Sequence, residues 1–122
     1  MKTLGMMLQE HIESQTLNEM ANVSKRTTGL PMCIWVLSEI PVEHNLPRLK
    51  FQNNYSDKVQ PKEMVPVSIS DDPILLIKNL KLKISSRDFE LLRKWIIKNK
   101  ELLLRYWNYD ATIEDLIDGL KK

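Results

Sequence analysis

Apolar residues in the first part of the chain fall at Leu4, Met7, Leu8 and Ile12, with His11 on the same side. That is the recurrence of one face of an amphipathic helix, and Gln9, Glu10, Glu13 and Ser14 occupy the other face. The pattern predicts a helical arm over residues 1–21, helical from about residue 2 to residue 20, followed by a polar linker over 22–30. An arm of this kind packs on its own domain or on a second copy. Leu4, Met7, Leu8 and Ile12 are therefore interface candidates, and a homodimer is one expected form.

From residue 31 the period changes. Residues 32–37 are apolar on both alternating faces, as a central strand covered on both sides requires. Residues 48–52 alternate, with Leu49 and Phe51 one way and Arg48, Lys50 and Gln52 the other. Residues 53–62 form a polar loop containing Tyr55. Residues 64–70 alternate again, and Pro66, lacking an N–H, makes that strand an edge or bulged strand. Asp71-Asp72-Pro73 is a turn. Residues 74–77 read as a short strand, and 80–84 as another strand or an extended entry to a helix.

The last third returns to helical spacing. Ser85 with Asp88 forms a capping box, the hydroxyl taking the third helical N–H and the carboxylate reaching back to the cap. Phe89, Leu92 and Ile96 continue inward, with Trp95 nearby. Asn99 interrupts or bends the helix, and Leu102, Leu103, Tyr106 and Trp107 extend the apolar face. Thr112 with Asp115 repeats the cap before a stripe of Ile113, Leu116, Ile117 and Leu120. Helices are thus expected at 86–98, 100–107 and 113–120. Strands first and helices afterwards argue for an α+β fold, a mostly antiparallel sheet of four to five strands packed against C-terminal helices. Residues 31–122 form one domain.

Composition narrows the function classes. The chain has 122 residues and a formal net charge of +2, too little to imply nucleic acid by itself. Residues 22–62 hold the basic excess, four Lys and two Arg against three acids. One cysteine, Cys33, leaves no intrachain disulfide and no cysteine-rich zinc site. Its place in the most apolar strand predicts a buried, inert thiol. No leader pattern and no apolar run of membrane-spanning length appear, so the reading is a soluble, cytoplasmic protein without membrane association.

Polar chemistry and defined backbone geometry coincide at Glu43-His44-Asn45-Leu46-Pro47-Arg48-Leu49-Lys50-Phe51. From Gly29-Leu30 to Trp107, with Trp95-Ile96 and Glu101-Leu102-Leu103 in the tail, the chain resembles the small bacterial family named domain of unknown function 4160. That family carries Glu-His-x-Pro-Pro-His-Phe-His-Val at this turn. Here Arg48 and Lys50 replace the family's two later histidines, and Leu46 replaces its first proline. Any metal or acid–base role of those histidines cannot carry over. The resemblance implies a bacterial or mobile-element protein paired with another small protein, in a toxin–antitoxin or regulatory manner.

No phosphate-binding glycine loop, nucleophile elbow or metal-ligand spacing is present, so no cofactor and no metal are expected and the chain leans away from enzymes. His44 beside Glu43 is the weak catalytic pair, for a small hydrolase or nuclease. Neighbours on an extended segment point to opposite sides, which argues against it. Arg48, Lys50, Lys81 and Lys83 would line one sheet face if their strands were neighbours. With Tyr55 to stack on a base, that face would be a nucleic-acid site. Trp107 and Tyr109 are candidate anchors for a protein partner. The leading expectation is a non-enzymatic protein that acts through protein–protein contact.

Overall fold

The computed structural model describes residues 18–39 and 46–122. Four strands, β1 (Asn18–Val23), β2 (Ile34–Glu39), β3 (Arg48–Gln52) and β4 (Met64–Ser68), lie side by side in chain order. All three neighbouring pairs are antiparallel. A single helical turn, α1 (Lys25–Thr28), joins β1 to β2, and α2 (Ser86–Lys98), α3 (Lys100–Trp107) and α4 (Ile113–Gly119) follow the sheet. This is the expected α+β fold.

Alternation decides which side the helices cover. Ile34, Val36, Leu49, Phe51, Val65 and Val67 come from one sheet face and form a single core with Leu92, Ile96, Leu103 and Leu116 of the helices. β2 lies between β1 and β3, and its other face is closed too: Trp35 and Leu37 are buried. The doubly apolar strand in the sequence has that cause.

β1 departs from expectation. Residues 18–21, read as the end of a helical arm, are strand, and the 22–30 linker is folded. β2 offers an open edge, and residues 18 to 23 pair with it from Asn18↔Glu39 to Val23↔Ile34. Edge pairing with Val23 buried outweighs the polar sequence around it. Ser24 then caps α1 by accepting from the Thr27 N–H, and Gly29, at φ +77°, ends it by donating to the Lys25 carbonyl at 2.8 Å. The same register sets the start of β2 at Ile34, two residues past the expected Met32. Leu4, Met7, Leu8, His11 and Ile12 lie outside the described residues, as do Glu43 and His44.

β4 is an edge strand beside β3. Pro66 aims its carbonyl outward, accepting from Leu76 N–H, so its missing N–H costs the ladder nothing. The 74–77 run is consequently no full strand; it meets β4 through one bridge, Val67↔Leu75.

Side-chain amides replace further strand pairing. Asn53, buried at the end of β3, donates to the Lys81 carbonyl at 3.0 Å and accepts from the Lys83 N–H at 2.8 Å. A carboxamide so placed imitates a strand neighbour, and residues 80–84 stay outside the sheet. Gln52 does the same for the 53–60 loop, donating to Asn54 Oδ1 and to the Ser56 and Lys58 carbonyls and accepting from the Gln60 N–H. Asn99 separates α2 from α3 and clasps Lys121, donating to its carbonyl at 2.9 Å and accepting from its N–H at 2.8 Å.

The expected capping box of α2 is half direct. Ser85 Oγ accepts from the Asp88 N–H at 3.0 Å, but Tyr55 stands in the return path. Its hydroxyl accepts from the Ser85 N–H at 2.8 Å and donates to Asp88 Oδ2 at 2.6 Å. Tyr55→Phe is expected to lower stability by about 1 kcal/mol in urea unfolding, because the groups released face water. An unchanged midpoint would mean the bridge contributes nothing.

Candidate functional site

The expected basic face is not assembled. Arg48 and Lys50 share one side of β3, as alternation requires. Lys81 and Lys83 do not lie beside them, since their backbone is fastened by Asn53 past the strand's end. Lys83 Nζ sits between both carboxylate oxygens of Glu63, at 2.9 and 2.8 Å. Arg48 donates through Nε to the Leu46 carbonyl at 3.0 Å and rests its guanidinium 6.0 Å from the Trp107 ring centre. The Tyr55 hydroxyl is occupied at the start of α2.

Trp107 is corrected in the same way: it is buried, 4% exposed, so it is no free anchor. Cys33 is buried, as expected, with Sγ 3.5 Å from the Ser56 carbonyl. Asp71 pairs with Lys100 at 2.8 Å and Asp72 with Arg93, which fixes the turn. Among the described residues no cluster of three or more His, Cys, Asp or Glu could hold a metal ion. No described helix is long and apolar enough to cross a membrane.

Tyr109 is different. It is 46% exposed and holds φ at +64°. The end of α3 demands that geometry. Asp110 N–H donates to the Arg105 carbonyl at 2.7 Å and Tyr109 N–H to the Tyr106 carbonyl at 3.1 Å. These are the two bonds of a Schellman ending, whose left-handed position is usually glycine. A bulky residue there costs about 1–2 kcal/mol.

The Tyr109 ring rims a hollow of about 470 Å³ between the end of β2 and the turn from α3 to α4. Ser38, Tyr106, Asp110, Thr112 and Asp115 share the lining. Ser38 is in phase with Ile34 and Val36, so its side chain points to the helical side of the sheet. It is 2% exposed, and its Oγ has no hydrogen-bond partner. Among the described residues, only Trp95 Nε1 shares that condition. A buried hydroxyl without a partner loses the desolvation cost of the group.

Below the rim, the second cap forms as expected. Thr112 Oγ1 accepts from the Asp115 N–H at 3.0 Å, and Asp115 Oδ2 accepts from the Thr112 N–H at 3.0 Å. That backbone bond, helped by the Thr112 side chain and by Arg105, holds the Asp115 carboxyl below the usual carboxylate range. With the folded value below the unfolded one, the cap's contribution is complete above the ordinary Asp value and disappears as pH falls through the folded one. An NMR titration of the Asp115 carboxyl is expected to give a midpoint below that of an unstructured Asp; an equal or higher midpoint would contradict the box.

Sequence reasoning singled out Tyr109 but missed Ser38, Asp110 and their convergence. The available signal was a serine in register with core positions. No protein-family model matches the chain, and neither the curated proteins nor the solved structures contain a significant match to it.

Proposed function

We propose that this chain is a non-enzymatic protein that works by contact with another protein, and that the Tyr109 hollow is its contact surface. The observation that carries this reading is Tyr109 itself. An aromatic side chain stands half in solvent, at a backbone position that favours glycine, over a pocket with a buried polar floor. Strain of this kind persists where a side chain is needed, and tyrosine is a frequent anchor of interfaces. The resemblance at 29–107 adds a partner of the toxin–antitoxin or regulatory kind in a bacterium or mobile element.

Tyr109→Gly tests the reading cleanly. Relief of the left-handed strain offsets the lost ring contacts and the looser unfolded chain, so stability should change by no more than about 1 kcal/mol. The immobilised wild-type chain and the variant are offered the same lysate of the source cell. A protein held by the wild type and lost from the equally folded variant supports the proposal. Identical captures from both, or a variant that unfolds in step with lost capture, would count against it.

A further inference from the structure

We propose that the group received by the Tyr109 hollow is a basic side chain, arginine or lysine, of the partner protein. The inference rests on the contact reading above and adds the chemistry of what enters. Four observations agree on it. Among the described residues, the lining contains two carboxylates, Asp110 and Asp115, and no cation. No described residue hydrogen-bonds or ion-pairs with the Asp110 carboxylate, whereas Asp71, Asp72 and Glu63 elsewhere each have a cation. The rings of Tyr106 and Tyr109 line the same space, and a cation near an aromatic face is attracted by its quadrupole. Ser38 Oγ, buried and unpartnered, supplies an acceptor for an N–H at the floor.

The neighbouring charges favour the same sign. Arg105, whose charge already acts on Asp115, donates through Nη2 to the Asp110 carbonyl at 3.1 Å. Asp115 accepts the Thr112 N–H of its cap through Oδ2. Glu114 and Asp118 add negative charge along α4. A carboxylate or phosphate would meet these acids with no cation among the described lining residues to receive it. A neutral apolar group would leave Ser38 Oγ and Asp110 as they are and bring no partner to either.

The test uses the ¹⁵N-labelled full chain and three blocked amino acids as probes: N-acetyl-arginine methylamide, its neutral isostere N-acetyl-citrulline methylamide, and N-acetyl-glutamate methylamide. Spermidine forms a fourth arm, for a free polyamine. The amide signals of Ser38, Tyr109 and Ala111 should shift saturably with the arginine probe. The citrulline probe should bind about three- to fivefold more weakly, and the glutamate probe should give no saturable shift. Asp110→Asn should abolish the preference for arginine over citrulline while leaving the other signals of the spectrum in place.

Equal response to arginine and citrulline, a response to glutamate, or no saturable shift with any probe would overturn the proposal. Spermidine binding more tightly than the arginine probe would also overturn it, in favour of a small-molecule polyamine site. A partner lost on Tyr109→Gly with no arginine preference would leave the contact reading standing and remove only this assignment of the entering group.

Discussion

Phe51→Ala is expected to lower the unfolding free energy by about 3–5 kcal/mol, the cost of emptying a fully buried aromatic site. Phe51 is completely buried on the helical side of β3, where its ring lies 5.9 Å from that of Phe89. It therefore joins the sheet to the first turn of α2, and neither neighbour can collapse into the gap without moving a strand or a helix. A small domain has about 5–15 kcal/mol in total, so the variant should lie close to the limit of folding. Urea unfolding followed by tryptophan fluorescence reads the effect. A loss below about 1 kcal/mol would mean that the sheet and α2 are not packed through this ring.

Gln52→Ala is the second large effect, and its origin is polar. The side chain is fully buried, and its amide nitrogen donates to three oxygens of the loop that follows, at 2.9, 3.2 and 3.0 Å. Its oxygen accepts from the Gln60 N–H at 2.9 Å. Alanine would leave several loop groups without partners, for an expected loss of about 2–4 kcal/mol. Gln52→Glu separates this from simple packing. A carboxylate keeps the acceptor for Gln60 but turns a donor site toward three oxygens into an acceptor. That variant should be at least as unstable as alanine at neutral pH and should recover as pH falls, because the protonated acid can donate again. Equal stability of the glutamate and glutamine proteins at neutral pH would contradict the loop's dependence on this amide.

The same contrast between apolar and polar organisation explains what the sequence discloses. β3 occupies the residues that alternation assigns, and α2 and α3 match the predicted spans. Apolar periodicity and capping residues act locally, so their signals sit in the segments they shape. β1 was hidden because its sequence, Asn-Glu-Met-Ala-Asn-Val, has little alternation to read. What makes it a strand is the open edge of β2, a partner distant in the chain. Residues 80–84 alternate correctly and bury Ile84, yet their backbone partner is the Asn53 carboxamide, an interaction no propensity encodes.

The site follows the same rule. Tyr109 was visible as an aromatic residue beside a polar turn, but the helix ending that strains it becomes apparent only from the two carbonyls it caps. Ser38 looked like the polar end of an apolar strand; its importance comes from α3 and α4 closing over it. The basic residues misled for the opposite reason. Each is conspicuous alone, and Arg48 and Lys83 are placed against Trp107 and Glu63 once the chain is folded.

Site-specific photocrosslinking in the source cell puts the contact surface to the most direct trial. A benzoylphenylalanine at position 109 is compared with the same group at position 59, where Val59 is 56% exposed and outside the hollow's described lining. The account predicts a protein adduct of one defined mass from position 109 and none of that mass from position 59. No adduct from 109, or the same species from both positions, would contradict it.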